Sequence, residues 1–165
     1  MEVVYGIVGV DALECINPQK DKWKVRWDIV PTGNGEEVTF RHYIFNHKPT
    51  ISEVKEIILS WMNAEIDKKI LEGFEWKGMS VWLSSENQFN YKAAYDLAVQ
   101  TGGANLPVVF KFGTTEEPVY YEFKTVDELS SFYMGAMNYI NTTLNDGWKA
   151  KDAFDWSPYA LILDK

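Results

Sequence analysis

The feature that most restricts the fold is a recurring order of hydrophobic periodicities along the chain. Two stretches that are apolar at every second position flank a turn, and a helix-start signal follows them. From residue 23 onward this order occurs three times. Because hairpin connections join antiparallel strands, the sequence predicts an α+β fold. We expect an antiparallel sheet built from successive β-hairpins in ββα-ββα-ββα order, with the helices packed on one face.

The first of these units shows the pattern most clearly. Apolar or aromatic side chains alternate with polar ones before and after a turn at 31–35, at Trp23, Val25, Trp27 and Ile29, then at Val38, Phe40, His42 and Ile44. Thr50 and Glu53 have the spacing of a capping box, in which each side chain accepts a hydrogen bond from the other residue's backbone N–H. A helix is therefore expected to begin there.

The second and third units repeat the order with different residues. A short hairpin over 74–83 precedes Ser85 and Gln88, which have the capping-box spacing, and Gly102 with Gly103 is expected to end that helix. A hairpin over 108–123 precedes the same spacing at Thr125 and Glu128. We expect Glu116 and Glu117 to lie in the turn of this hairpin.

The chain length is that of a single domain, residues 1–165. The alternative is a boundary near 71–73, which would separate a hairpin–helix unit at 1–72 from a ββα-ββα unit at 73–165. After the third helix, the pattern predicts a short helix from Trp148 through Phe154. It also predicts an edge strand from Ala160 to Leu163.

Charge and cysteine content exclude several kinds of partner and cofactor. The chain has 16 basic and 24 acidic side chains, a net charge of −8. This is the wrong sign for binding nucleic acid or an anionic membrane surface. Cys15 is the only cysteine, and no Cys/His cluster has metal-ligand spacing. We therefore expect no metal and no cofactor.

The apolar run from Val3 to Val10 could be mistaken for a targeting segment. Glu2 stands where a signal peptide carries positive charge, and eight residues are far fewer than the roughly 20 that span a bilayer. We expect this run to be a strand or a segment packed on the domain. The expected location is cytoplasmic, with no signal peptide and no transmembrane segment.

No motif in the chain specifies a reaction. The imidazoles are His42, on an alternating strand face, and His47, in a loop, and neither has a neighbouring nucleophile. Carboxylates are numerous, but their positions suit helix caps and solvated faces. The sequence therefore predicts a protein that is not an enzyme. A hydrolase with converging carboxylates stays an alternative.

The aromatic residues are the more informative set. Most of the 25 occupy positions that periodicity assigns to a core. Trp82 alternates with the apolar Val81 and Leu83, so it should point to the opposite side. In the second helix, Tyr91 and Tyr95 lie on a different side from Phe89 and Leu97. Such a helix is covered either by its own domain or by a second subunit.

The C-terminal segment is also rich in aromatic residues and is expected to dock on something. Together these features give a set of candidate interaction residues: Trp82, Tyr91, Tyr95, Trp148, Trp156 and Tyr159.

The region from Trp76 to Trp156 resembles uncharacterised phage and prophage proteins whose domains occur near tail or tail-fibre genes. The resemblance covers about half of the chain and lies in four segments, Trp76 to Tyr91, Leu106-Pro107, Asp127 to Leu129 and Gly147 to Asp152. It implies a structural or assembly role in a phage-like particle, with virion association after a cytoplasmic stage. It assigns no catalytic or binding residue.

These observations favour a non-enzymatic structural or interaction protein that docks to a protein partner or to further copies of itself. One alternative is a carbohydrate-binding module in which exposed Trp82 and Trp156 stack on a glycan. The other is the carboxylate hydrolase.

Overall fold

The computed structural model describes residues 2–33 and 35–162 and contains three α-helices and antiparallel strands. The strands are β1 (Val4–Ile7), β2 (Leu13–Asn17), β3 (Lys22–Pro31), β4 (Glu37–Phe45), β5 (Phe74–Trp76), β6 (Met79–Val81), β7 (Val108–Gly113) and β8 (Pro118–Phe123). The helices are α1 (Ile51–Glu72), α2 (Ser85–Thr101) and α3 (Val126–Asp152), with short 3₁₀ helices at Pro18–Lys20 and Ser157–Ile162. The protein is an α+β protein, as the pattern predicts.

The strands form three antiparallel sheets. One has four strands in the order β1-β4-β3-β2, and the other two are the hairpins β5-β6 and β7-β8. The prediction that the three hairpins share a sheet is therefore wrong. The pattern also did not resolve β2, although the apolar run at the N-terminus does form a strand, β1. No helix in the part of the chain that the structure describes has the length and apolarity needed to cross a membrane.

Contacts divide the residues into two compact units. Unit 1 is Met1–Met62 with Lys151–Lys165, and unit 2 is Asn63–Ala150. The division falls inside α1, which continues unbroken to Glu72. The predicted single domain and the alternative boundary near 71–73 stay predictions.

The core of unit 1 lies on one face of the four-stranded sheet. The side chains of Val25 and Trp27 on β3 pack there with residues of α1 and of the C-terminal segment, the buried members being Leu13, Val25, Trp27, Phe45, Val54, Ile58 and Tyr159. The alternation predicted for β3 stops at Asp28, whose φ of +54° accompanies a shift in register between Trp27 and Val30. Such a bulge re-aims the following side chains. Ile29 is therefore exposed instead of joining the core.

Of the three predicted capping boxes, the first forms as expected and the other two differ. At Thr50 the box forms as predicted, because its N–H donates to Glu53 Oε2 (2.8 Å) and the Glu53 N–H donates to Thr50 Oγ1 (3.3 Å). The second helix is capped by Ser84, not Ser85, through a hydrogen bond from the Asn87 N–H.

The third box is only half formed. The Glu128 N–H donates to Thr125 Oγ1 (3.2 Å), but the Glu128 carboxylate accepts hydrogen bonds from Lys77 Nζ and the Tyr121 hydroxyl. These bonds link the β5-β6 turn to β8 and to the start of α3. The predicted end of the second helix is correct, because Gly102 caps it in the left-handed conformation.

The C-terminal predictions differ from the structure. Residues 148–152 are helical, but they belong to α3 and do not form a separate helix, and Gly147 within α3 leaves room for Ile66, with which a side chain at position 147 would collide. Ala160 to Ile162 lie in a 3₁₀ helix rather than an edge strand, and Leu163 lies outside the described residues. This 3₁₀ helix places the buried Tyr159 ring in the core of unit 1, where its hydroxyl donates to the Arg26 carbonyl oxygen (2.6 Å).

The core of unit 2 is organised around Phe132 of α3, which is fully buried. Its ring centroid lies 5.0 to 6.2 Å from those of six other aromatic rings, belonging to Phe74, Trp76, Tyr91, Phe110, Phe112 and Phe123. One side chain thereby holds α3 against α2, β5, β7 and β8. Aromatic pairs at these separations contribute roughly 0.5–1.5 kcal/mol each beyond their area burial.

The cap of α1 makes stability depend on pH. Hydrogen bonds from the Thr50 backbone, the Thr50 hydroxyl and His47 lower the pKa of Glu53 from 4.5 to about 2. Because the pKa is depressed in the folded state, this stabilisation is fully present above pH 4.5 and is lost as the pH falls through about 2. We expect Glu53→Gln to lower the melting temperature at pH 7, and the difference from wild type to vanish toward pH 2.

Thermal melts followed by circular dichroism between pH 2 and pH 7 measure this difference. Glu56→Gln is the matched control, since Glu56 is exposed on the same helix and has no side-chain partner within residues 2–33 and 35–162. A Glu53→Gln melting curve that tracks wild type at every pH would show that the cap does not stabilise α1.

The hydrogen bond from Tyr159 fixes the C-terminal segment on the core of unit 1. Tyr159→Phe keeps the ring but leaves the buried Arg26 carbonyl without this donor, so we expect a loss of about 1–3 kcal/mol in the free energy of unfolding. Urea denaturation measures it. A loss below about 0.5 kcal/mol would mean that water replaces the hydroxyl.

Candidate functional site

A cleft of about 760 Å³ opens in unit 2, where the edges of β6 and β7 face the first turns of α2. This volume falls within the roughly 300–1,000 Å³ typical of small-molecule sites. The lining residues are Glu72, Ser80, Val81, Trp82, Asn87, Asn90, Tyr91, Val109, Phe110, Lys111, Phe112, Gly113, Thr114, Thr115 and Glu116. Aromatic surface and short polar side chains therefore share the lining.

Trp82 forms an exposed aromatic wall of the cleft. Val81 and Leu83 are each only 1% exposed, whereas Trp82 is 49% exposed, so the alternation predicted its direction correctly. The first turn of α2 holds the backbone on either side of it, because Asn87 Nδ2 donates to the Trp82 carbonyl (2.8 Å) and Gln88 Nε2 to the Leu83 carbonyl (2.7 Å). The backbone that carries the indole is thus fixed before any ligand arrives.

Tyr91 lines the cleft from the core side. It is 3% exposed, and its ring packs against Phe110 (4.7 Å between centroids) and Phe132 (5.0 Å). Burial raises the pKa of its hydroxyl to about 12, so the group stays protonated at neutral pH. Within the described residues this hydroxyl has no hydrogen-bond partner, yet it is not sealed from solvent. A buried ring therefore carries a free hydroxyl group to the cleft.

The charged groups in the lining are two carboxylates, Glu72 and Glu116, and one ammonium, Lys111. Their sum is one negative charge, which disfavours an anionic ligand. Across residues 2–33 and 35–162, no group of three or more His, Cys, Asp or Glu side chains is placed to hold a metal ion.

Tyr91 and Tyr95 were predicted to form part of an interaction surface, and their surroundings differ from that expectation. Tyr91 is buried in the core of unit 2. Tyr95 is half-buried, with its ring stacked on Tyr133 at 4.7 Å. The exposed side of α2 instead carries Phe89 and Leu97. The helix is covered on the tyrosine side by its own unit.

The aromatic residues of the C-terminal segment are divided in the same way. Trp148 is 53% exposed on α3 and does not line the cleft. Trp156 is half-buried among Phe154 and Tyr159, with Lys55 Nζ 5.5 Å from its ring centroid. Tyr159 is buried, and the interaction role predicted for it stays a prediction. The segment after residue 153 docks on unit 1 of its own chain.

No family model, curated protein or solved structure matches this chain. The chemistry of the cleft and of the surface therefore carries the functional argument. Of the six predicted interaction residues, only Trp82 and Tyr91 line the cleft. Trp82 and Trp148 are the two that are exposed.

The nucleophile and base candidates lie in unit 1. Burial, with Lys24 and Arg26 nearby, lowers the pKa of His42 on β4. His47 pairs with the Glu53 carboxylate (2.8 Å) at the cap of α1. Cys15 is a free, half-buried thiol on β2. None of these groups lines the cleft.

Strand β1 forms an exposed, uncharged edge of the four-stranded sheet. It is an edge strand of the four-stranded sheet, and Tyr5 and Ile7 are 72% and 73% exposed. The run from Val3 to Val10 contains no charged residue and no proline. The opposite edge, β2, has a register irregularity and Glu14, and Pro18 follows it. Charges, bulges and prolines keep strand edges from pairing with other chains. β2 therefore has features that prevent pairing with another chain, and the run from Val3 to Val10 that contains β1 has no charge and no proline.

Sequence reasoning missed the polar residues of the cleft, such as Asn87, Asn90 and Lys111. Their positions along the chain carry no shared pattern, because β6, α2 and β7 meet only in the folded unit. The one available signal was Trp82, whose alternation marks it as exposed next to the start of a helix.

The free hydroxyl of Tyr91 leads to a stability prediction. Because it has no partner within residues 2–33 and 35–162, we expect Tyr91→Phe to change the free energy of unfolding by no more than about 0.5 kcal/mol. Urea denaturation alongside Tyr159→Phe provides the comparison. A loss in Tyr91→Phe as large as in Tyr159→Phe would mean that the Tyr91 hydroxyl is already bonded.

Proposed function

We propose that the protein is a non-enzymatic binding protein that acts by contact with other molecules. The observation that carries this proposal is the cleft of unit 2, which is lined by the exposed indole of Trp82 and by Tyr91, whose hydroxyl has no hydrogen-bond partner within the described residues. A concave site with aromatic surface and a few orienting polar groups is typical of ligand binding.

The positions of the reactive side chains support binding rather than nucleophilic catalysis. The histidines and the cysteine contribute to the sheet and the helix cap of unit 1, and none of the three lines the cleft. The hydrolase alternative retains one supporting observation, which is that Glu72 and Glu116 both line the cleft.

The resemblance of Trp76 to Trp156 to phage and prophage proteins supports a tail-associated assembly or accessory role. On this proposal the protein is cytoplasmic before assembly and then joins a virion. The net charge of −8 supports partners other than nucleic acid or an anionic membrane.

The same proposal includes a chain organised as ββα-ββα-ββα. It is supported by the order of elements from β3 to α3, in which each of the three hairpins precedes a helix.

Contact with a second copy of the chain is proposed to occur through β1. Two acidic molecules repel each other over most of their surfaces, and the uncharged run from Val3 to Val10 is a place where they can approach without pairing like charges. In an antiparallel pair, every second residue directs its backbone N–H and C=O toward the neighbouring strand. The hydrogen bond from the Val8 N–H to the Glu36 carbonyl (3.1 Å) shows that Val8, and with it Gly6 and Val4, face β4 in this way. Backbone groups of Tyr5 and Ile7 then point away from β4 and are free to pair with another strand.

Light scattering after size-exclusion chromatography, over a range of protein concentrations, tests this contact. We expect wild type to self-associate and Ile7→Lys to weaken the association at least about tenfold, because the change places a charge on the pairing edge. Ile16→Lys is the matched control, since it makes the same change on β2. A wild type that stays monomeric at every concentration would overturn self-association, as would equal effects of the two substitutions.

A further inference from the structure

We propose that the cleft of unit 2 binds an uncharged sugar, with one pyranose ring stacked on Trp82 and its hydroxyls bonded by Tyr91 and by neighbouring polar side chains. This inference rests on the proposed binding function and names the class of ligand.

The stacking surface is the exposed indole. The faces of a pyranose ring present C–H groups, and the face of an aromatic ring carries the negative part of its quadrupole. A sugar face and an indole face therefore attract each other while both leave water. Hydrogen bonds from Asn87 and Gln88 already hold the neighbouring backbone, so this backbone does not have to be ordered when the ring is covered.

The hydroxyl of Tyr91 offers a bonding position to a polar ligand. Tyr91 is 3% exposed, and its hydroxyl has no protein partner within the described residues but is not sealed from solvent, so a ligand hydroxyl can replace the water that bonds it. A protonated phenol both donates and accepts, and so does each hydroxyl of a sugar. A ligand hydroxyl can thus satisfy Tyr91 in both roles.

The remaining lining decides between classes of polar ligand. Ser80, Asn90, Thr114 and Thr115 offer hydroxyl and amide groups, which match a ligand that carries many hydroxyls. The two carboxylates can accept hydrogen bonds from sugar hydroxyls, but they outnumber Lys111 and would repel a phosphate or a uronic acid. The charge balance therefore favours a neutral sugar.

Isothermal titration calorimetry on the full chain tests the proposal. The probes are the neutral trisaccharides cellotriose, maltotriose, mannotriose and triacetylchitotriose, with trigalacturonic acid as the anionic comparison. We expect at least one neutral trisaccharide to bind at a single site and the anionic one to bind more weakly. Binding by none of the neutral probes, or tighter binding of trigalacturonic acid, would overturn the inference.

Single substitutions test whether the sugar binds in the cleft of unit 2. We expect Trp82→Ala to weaken binding about tenfold or more, since it removes the stacking surface. Tyr91→Phe should weaken binding about threefold to tenfold through the loss of one hydrogen bond, with the unfolding free energy unchanged. Trp148→Ala is the matched control, because it removes an equally exposed tryptophan of the same unit that lies outside the cleft. Equal effects of Trp82→Ala and Trp148→Ala would overturn the assignment.

Analysis of the sugar after the titration separates this inference from the proposed function. An intact trisaccharide agrees with both. A cleaved one, seen as new reducing ends, would overturn the non-enzymatic function and leave the sugar site standing. Self-association without sugar binding would overturn the sugar site alone.

Discussion

The packing of six aromatic rings around Phe132 is the interaction on which unit 2 depends. These rings come from four elements, β5, α2, β7 and β8, and Phe132 is the side chain they share. Removing a buried phenylalanine typically costs about 3–5 kcal/mol, a large part of a domain's total of roughly 5–15 kcal/mol. The same packing fixes the ring of Tyr91. The position of a group in the cleft is therefore set by the core behind it.

Local periodicity predicted the three hairpins and the starts of α1 and α3, because alternation and capping are properties of neighbouring residues. It failed where one residue alters the geometry or where two candidates are chemically alike. Asp28 introduces a bulge that turns Ile29 outward, and nothing in the alternation of β3 signals it. Ser84 and Ser85 are both good caps, and only the backbone conformation decides between them.

The candidate site could be predicted only in part. Trp82 follows from alternation, but a helix that is apolar on most sides has no unique buried face. The tyrosine side of α2 faces the core, and Phe89 and Leu97 face outward, which the sequence alone did not reveal. Phe154, Trp156 and Tyr159 dock on unit 1 of their own chain, where the Tyr159 hydroxyl donates to the Arg26 carbonyl, whereas Trp148 is exposed on α3.

The ring and the hydroxyl of Tyr91 are under different selection, the ring for packing in the core and the hydroxyl for binding in the cleft. Its ring packs in the core of unit 2, whereas its hydroxyl has no hydrogen-bond partner within the described residues. Phenylalanine would serve the core equally well, so folding alone gives evolution no reason to keep the oxygen atom. Among descendants of this chain, the choice between tyrosine and phenylalanine at this position would record whether the cleft is still in use.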